Sequence, residues 1–386
     1  MKLYHNHLSI TAILLIALLS HNCSNKQNGE INRLKSISLP EARTEKLSQF
    51  VSEVDYLLLP ENTSAVQIDK MQKFGDLIFL GDYELTRTLS IVNLRTRELV
   101  NIDRFGGGPG EYQTILDFTI NREKEFVEIL DLRKLISYDF NGNFIEETKI
   151  PASFGKIASF AEAKYVAYMP KSLHPNFERP DSESILWMWD RESGNVERIA
   201  CGSEKLNLPF FTERNNLTFL NNEILFSANF LDSVYVFDEE LNMREVRYFT
   251  GKKDHMPRDL INQYKGDFPE ELRNEYFFHL PNLLESQNYF FTTLISGSQW
   301  VNLLYFKTDN STVTFSKIEN DIDGGYPYMP ILHLDDNYLY SLVEPQYLME
   351  HYEGYEDKPI GKFSDFTSNL SINSPLVLIR YKLKEA

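Results

Sequence analysis

Three oxygen-bearing side chains occupy positions where a cation could be held: Asp117, Asn216 and Asp335. Each lies near a segment that we predict to be an innermost strand of a ring of sheets. Carboxylate and amide oxygens are the ligands that Ca²⁺ prefers, so these three would form a calcium site if they converged. The same residue types are common in turns and at strand ends, and that role is the default interpretation.

Two pairs of residues are weaker candidates for contact with a ligand. Trp187 and Trp189 are two residues apart on a predicted strand, so their rings share one face. If that face were exposed, the pair would suit a sugar ring; in a packed sheet it would fill the core. Glu111 and Tyr112 end a glycine-rich segment and could contact a ligand, although such a segment is typical of a tight structural turn.

Signatures of other chemistry are missing from the sequence. The histidines form no pair with metal-ligand spacing, so we predict no zinc site. No G-x-S-x-G segment occurs that would indicate a hydrolase nucleophile. Cys201 follows an apolar pair, and we expect it to be a buried spectator.

A repeated pattern predicts the elements that would position these residues. Six times a polar turn residue is followed at once by a short apolar or aromatic burst. The intervals between the turn residues are 49, 39, 59, 65 and 49 residues. Repeats of this length made of short strands are typical of a β-propeller with one blade per repeat. The turn residues are Asp76, Glu125, Lys164, Glu223, Asn288 and Asn337.

The two ends of the chain predict how the ring closes. The sixth blade has too few strands before the chain stops, and the early strand pattern at 54–59 has no blade of its own. We therefore predict an all-β, six-bladed propeller over 51–386, closed by an N-terminal strand that completes the last blade. Two segments, 256–278 and 345–374, interrupt the repeat with short helical patterns and are predicted insertions.

The N-terminal segment predicts export. Residues 10–19 are apolar except for Thr11, and ten residues are too few for a membrane-spanning helix, which needs about 20. We predict a signal peptide over 1–22, lipidation of Cys23 and a polar tether over 23–50. Ordinary secretion, with a chance cysteine at position 23, is the alternative.

The net negative charge of the chain disfavours some classes of binding partner. The formal net charge of −17 argues against nucleic acid and against anionic lipid surfaces. We expect contact with a membrane through the lipid anchor only, and a monomer.

One family resemblance combines three features: Arg-Phe-Gly-Gly-Gly-Pro-Gly-Glu-Tyr at 104–112, the early strand at 54–61 and the lipoprotein-like start. Together they resemble the six-bladed, NHL-like β-propeller lipoproteins of Gram-negative gut-type anaerobes. The resemblance implies an outer-membrane lipoprotein, periplasmic or surface-facing, and supplies no catalytic residues.

These observations lead to two functional hypotheses. The first is a non-enzymatic binding module of the cell envelope that needs no cofactor and recognises an envelope protein, a peptide or a glycan on one propeller face. The second is a Ca²⁺-dependent, lactonase-like hydrolase or a lyase, with its site at the central channel. Convergence of oxygen ligands at the propeller axis would favour the enzyme.

Overall fold

The computed structural model describes residues 33–169, 184–201, 215–220, 222–264, 268–327, 330–357 and 359–384. The predicted signal peptide and Cys23 lie outside these residues.

The described strands form six sheets arranged as propeller blades, which confirms the predicted fold. The second strands of the blades are apolar almost throughout because both faces pack on neighbouring blades; Ile78, Phe79 and Leu80 are all buried.

Three strands precede the blades: β1 (Leu34–Leu39), β2 (Arg43–Lys46) and β3 (Val51–Leu58). Blade 1 contains β4 (Lys70–Phe74), β5 (Leu77–Asp82), β6 (Thr88–Asn93) and β7 (Leu99–Ile102). Blade 2 contains β8 (Asp117–Asn121), β9 (Phe126–Leu130), β10 (Lys134–Asp139) and β11 (Phe144–Lys149).

The remaining blades repeat this order from the axis outward. Blade 3 contains β12 (Lys156–Ala161), β13 (Lys164–Tyr168), β14 (Ser184–Asp190) and β15 (Val196–Cys201). Blade 4 contains β16 (Leu217–Leu220), β17 (Glu223–Phe226), β18 (Ser233–Phe237) and β19 (Met243–Gly251). Blade 5 contains β20 (Phe277–His279), β21 (Leu284–Glu285), β22 (Tyr289–Ser296), β23 (Gln299–Phe306) and β24 (Thr312–Glu319). Blade 6 contains β25 (His333–Leu334), β26 (Tyr338–Val343) and β27 (Val377–Leu383).

The ring is closed by β3. This strand pairs antiparallel with β27 and becomes the outermost strand of blade 6, with Val54 opposite Tyr381 and Tyr56 opposite Ile379. Val54 and Ile379 are buried in one apolar cluster that also includes side chains of blade 5. The predicted closure is therefore confirmed.

The predicted tether over 23–50 is wrong for its second half. β1 runs parallel to β19 along the outer edge of blade 4, and β2 runs parallel to β24 along the edge of blade 5. Ile37 and Leu47 are fully buried. The few large apolar side chains of this segment suggested a linker, but Ile37 and Leu39 alternate with serines, which is the pattern of a half-buried strand.

The propeller has two unlike faces. In each meander, the connection between the second and third strands and the connection to the next blade leave on the same face. We call this the elaborated face. On the opposite face, the turn face, no connection between the described strands exceeds five residues; 94–98 and 191–195 are examples. The longer connections of the elaborated face include 59–69, 103–116, 252–276, 320–332 and 344–376.

Both helical insertions project from the elaborated face. The connection between blades 4 and 5 contains α1 (Arg258–Tyr264) and α2 (Glu270–Glu275). The connection between β26 and β27 contains α3 (Pro345–Glu353) and α4 (Lys362–Thr367). These helices confirm the two predicted insertions. Both insertions lie on the elaborated face because the order of the strands places their connections there.

Replacing Ile37 with alanine tests the pairing of β1 with blade 4. The buried side chain packs in a cluster with Leu225 and Val234, so the free energy of unfolding should fall by about 2–5 kcal/mol. Ser38→Ala, on the exposed neighbouring position, should change it by less than about 0.5 kcal/mol. Urea unfolding measures both. Equal stabilities of the two variants would mean that this segment is a tether after all.

Candidate functional site

In the parts of the chain that the structure describes, exposed large apolar side chains outside the strands are confined to one face. Among the described residues, all the large ones lie in connections of the elaborated face and none in the turn-face connections. Because single exposed apolar residues are common, it is their one-sided distribution that carries information. They are Val66, Leu85, Phe105, Tyr347, Ile360 and Ile372.

Three of these side chains lie in connections that begin or end at strands of blade 1. Asp82 accepts backbone hydrogen bonds from both Val66 and Leu85, each at 3.0 Å, and so holds two connections together. The Arg87 guanidinium lies 5.2 Å from the centre of the Phe105 ring. We call Val66, Leu85 and Phe105 the apolar patch. About 60% of the Phe105 side chain and 65% of that of Leu85 are exposed.

The loops that carry the patch are fixed by a carboxylate. Burial opposes ionisation of Asp82, but N–H groups of Gln67, Val66 and Thr86 donate to it and hold its pKa below the usual value. Ionised carboxylates accept strong hydrogen bonds from backbone N–H groups, so the charge stabilises this loop geometry.

Beside the patch, the innermost strands begin with polar residues. The Lys70 ammonium donates to Asp117 Oδ1 at 2.9 Å and to the carbonyl of Phe118 at 2.8 Å, and both charged side chains are buried. Asp117 Oδ2 accepts the N–H of Ile157 at 2.9 Å. Burial lowers the pKa of Lys70 even though Asp117 opposes the shift. One carboxylate therefore joins the inner strands of three blades.

Tyr83 covers this ion pair. Its hydroxyl donates to Asp117 Oδ1 at 3.0 Å, and its N–H donates to Asp69 at 2.7 Å. Burial and the charge of Asp117 raise the pKa of Tyr83 well above its usual value. A side chain at Gly81 would lie 2.6 Å from the Tyr83 ring and 2.9 Å from that of Phe118, so glycine is required beneath the tyrosine.

On the opposite side of the axis, neutral amides replace the charges. Asn215 donates to the side-chain oxygen of Asn282 at 2.7 Å, and Asn282 donates to the carbonyl of Ile331 at 2.8 Å. These bonds link the inner ends of blades 4, 5 and 6. We call the polar residues at this end of the inner strands the hub layer: Lys70, Asp117, Lys156, Asn216 and Asn282.

The inner strands of blades 3 and 4 also begin with polar residues. Lys156 is the first residue of β12, and its ammonium donates to the carbonyl of Leu116 at 3.5 Å and lies 5.1 Å from the centre of the Tyr83 ring. Asn216 directly precedes β16 and is fully buried, and in the described parts of the chain neither of its amide atoms has a hydrogen-bond partner.

The three predicted calcium ligands do not converge. Asp335 directly follows β25, at the turn-face end of its inner strand, where it accepts a hydrogen bond from Tyr340 at 2.6 Å and pairs with Lys73 at 3.1 Å. Asp117 and Asn216 lie at the opposite end. Ca²⁺ takes six to eight oxygen ligands, and both oxygens of Asp117 are already engaged. These residues do not fit a common calcium site. Within the described parts of the chain, no three His, Cys, Asp or Glu side chains are grouped as metal ligands.

The glycine-rich segment is organised by its own contacts. Tyr112 is buried, with its hydroxyl 2.8 Å from the carbonyls of Arg87 and Ile102, so the prediction that it contacts a ligand is wrong. Glu111 is half-buried and accepts the N–H of Gly108 at 2.7 Å. The loop is held as a turn, and ligand contact by Glu111 stays a prediction.

The tryptophan pair fills the core between blades 2 and 3. Trp187 is 3% exposed and Trp189 is 1% exposed, and Trp189 stacks on Tyr165 with ring centres 5.2 Å apart. The pair therefore fills the core, as the favoured interpretation of the sequence predicts, and offers no exposed face for a sugar ring. Aromatic rings on a strand buried on both faces have no path to a ligand.

The N-terminal segment shapes a further part of the elaborated face. The chain between β1 and β2 crosses from blade 4 to blade 5 and covers a crevice of about 250 Å³. Lys252 pairs with Glu41 at its rim, and Phe277 and Leu294 line it. The prediction of a tether over 23–50 gave no indication of this crevice.

Sequence reasoning missed Lys70, Tyr83 and Lys156, although a signal existed. Asp117 follows Lys70 by 47 residues, and Lys156 follows Asp117 by 39. These intervals nearly match the blade repeat, so a polar residue at the first position of successive inner strands could have been recognised.

Fold and hub together define this chain as a six-bladed β-propeller with one elaborated face. It belongs to the family described as a domain of unknown function, DUF4934, whose model matches residues 34–382. The crystal structure of a "putative exported protein" from Bacteroides fragilis is similar, with a TM-score of 0.74 and 15% identity over 91% of this chain and 100% of that one.

A protein of unknown function from Bacteroides thetaiotaomicron is more distant. Its TM-score is 0.43, with 11% identity over 89% of this chain and 75% of that chain. No curated protein matches the sequence. The likeness to the first structure shows the fold alone.

Proposed function

We propose that this chain is a non-enzymatic binding module of the cell envelope and recognises its partner on the elaborated face. The observation that carries the proposal is the one-sided distribution of exposed apolar side chains in the long connections. Binding residues of a rigid scaffold concentrate on its loops, and clustered exposed apolar groups mark interaction surfaces.

The hub chemistry supports binding over catalysis. Lys70, Asp117 and Tyr83 are engaged with one another and join three blades, so none of them is free to exchange protons with a substrate. The alternative, a calcium-dependent lactonase-like hydrolase or a lyase, would be favoured by oxygen ligands that converge at the axis, and the candidates Asp117, Asn216 and Asp335 do not converge. No specific observation favours that alternative.

The chemistry of the patch favours an envelope protein or peptide among the partners expected from the sequence. Leu85 and Phe105 offer aliphatic and aromatic surface, which suits apolar side chains of a partner. A glycan would make better contacts with the polar hub layer than with this apolar patch. The chain itself is proposed to act as a monomer.

The envelope location rests on the N-terminal sequence and on one structural relative. The apolar stretch before Cys23 resembles the start of an exported lipoprotein, and the similar Bacteroides fragilis protein is described as a "putative exported protein". Among the described residues, no helix is both long and apolar enough to cross a membrane. We propose an NHL-like outer-membrane lipoprotein attached through Cys23.

Replacing Cys23 with serine tests the anchor. Serine cannot form the thioether that carries the lipid, so the variant should move from the membrane fraction to the soluble fraction of the envelope. Cys201→Ser serves as the control, because it removes the other cysteine of the chain and should leave the fractionation unchanged. Retention of the Cys23 variant in the membrane fraction would contradict lipidation.

The double variant Leu85→Ser/Phe105→Ser tests the binding face. Partners captured from solubilised envelope should bind at least about tenfold more weakly, as expected when central apolar contacts worth about 1.4 kcal/mol or more are lost. The matched control is Ile145→Ser, since Ile145 is 43% exposed but lies near the turn-face end of β11. Equal capture by the double variant and the wild type would contradict the proposed face.

A further inference from the structure

The crevice beneath the N-terminal segment has walls that are fixed on both sides. Residues 39–42, which we call the strap, line it where the chain crosses from β1 to β2. The Thr314 hydroxyl donates to the carbonyl of Pro40 at 3.0 Å and holds the strap on blade 5. On blade 4, a Cβ atom at Gly251 would lie 2.7 Å from the carbonyl oxygen of Leu39, so this close approach requires glycine. The crevice is therefore formed before any ligand arrives.

Much of the lining of the crevice is apolar. Leu39 and Ala42 of the strap are partly buried and pack against a buried cluster that includes Phe277, Leu294 and Val301. All five residues line the crevice, whose volume is about 250 Å³. Pockets for drug-sized ligands usually have about 300–1,000 Å³, so this crevice suits a group about as large as one apolar amino-acid residue.

The rim of the crevice has a net positive charge. Its lining includes one carboxylate, Glu41, which pairs with Lys252 at 2.7 Å. The ammonium of Lys253 donates to the Ser296 hydroxyl at 3.2 Å, and among the described residues no carboxylate lies within ion-pair distance of it. The hydrogen bond and charge of Lys252, and to a smaller extent the charge of Lys253, hold the pKa of Glu41 below its usual value. One carboxylate faces two ammonium groups, which leaves an excess of one positive charge.

This combination selects an anion that carries an apolar group. A carboxylate can accept a charge-assisted hydrogen bond from Lys253, and the Ser296 hydroxyl can donate to its second oxygen. An apolar side chain beside that carboxylate would cover the apolar lining and leave water. A metal cation would be repelled by the excess positive charge, and a sugar would place hydroxyl groups against apolar walls, where they lack partners.

The last residue of a polypeptide combines all of these groups. It has a carboxylate, a side chain on the neighbouring carbon and an amide N–H that precedes both. Gln299 lines the crevice and is exposed, and its side-chain amide can bond to peptide groups of a ligand. A fatty acid has a carboxylate and an apolar chain but no amide for Gln299. The end of a polypeptide therefore makes use of more of the lining.

We propose that the crevice binds the C-terminal residue of a polypeptide partner, and that this residue is apolar. The inference deepens the binding function proposed above and rests on it, because it names the part of an envelope protein or peptide that is recognised. Lys253 recognises the terminal carboxylate, and the apolar lining recognises the last side chain. The apolar patch lies on other connections of the elaborated face and contributes no residue to this site.

Titration calorimetry of the mature chain with four probes tests the proposal. The probes are N-acetylated glycyl-glycyl-leucine with a free carboxylate, the C-terminal amide of the same peptide, N-acetylated triglycine and octanoate. The leucine acid should bind at least about tenfold more tightly than its amide, which lacks the charge, and than triglycine, which lacks the apolar side chain. Octanoate should bind more weakly than the leucine acid.

Lys253→Met keeps the approximate length of the side chain and removes its charge. It should weaken binding of the leucine acid at least about tenfold, whereas Lys164→Met, at an exposed lysine of blade 3, should leave binding unchanged. Ala42→Phe should also weaken binding, because the larger side chain would occupy the crevice. Thermal unfolding verifies that each variant is folded.

Any of three results overturns the inference. In the first, the leucine acid binds no more tightly than its amide or triglycine; in the second, octanoate binds more tightly than the leucine acid. In the third, the folded Lys253→Met variant binds the leucine acid as the wild type does. Failure of the proposed function looks different. In that case the patch variant Leu85→Ser/Phe105→Ser would capture partners normally, while the leucine acid would still bind in the crevice.

Discussion

The antiparallel pairing of β3 with β27 is the interaction on which the rest of the structure depends. No blade of a propeller buries both of its faces alone, so each relies on two neighbours, and the ring must close to provide them. Here the closing strand comes from the opposite end of the sequence, with Val54 facing Tyr381. The same N-terminal segment then covers the edges of blades 4 and 5 through β1 and β2. Closure and edge protection thus come from one continuous stretch.

The hub layer is the second constraint, and it links architecture to function. A buried ion pair such as Lys70–Asp117 contributes little net stability, because desolvation offsets its attraction. Its geometry is specific, however, and it aligns the inner strands of three blades.

The sequence could predict elements whose signals are local. The signals for the blade repeat and for the turn at Asn141-Gly142 each lie within a few consecutive residues, and Gly142 adopts a φ of 78° in that turn. The unpaired pattern at 54–59 also predicted closure. Contacts between distant segments were harder to predict, and β1 was missed because its few apolar residues alternate with serines. The pairing of Lys70 with Asp117 was also hard to predict, because the two residues are 47 positions apart in the sequence.

Hydrogen exchange of the backbone amides tests ring closure most directly. If β3 completes blade 6, the inter-strand amides of Val51–Leu58 should exchange as slowly as those of Val377–Leu383, because both are released only by opening of the whole ring. Exchange of β3 that is orders of magnitude faster, while β27 stays protected by β26, would show that the N-terminal strand is peripheral. The account of a sealed propeller with a single recognition face would then be contradicted.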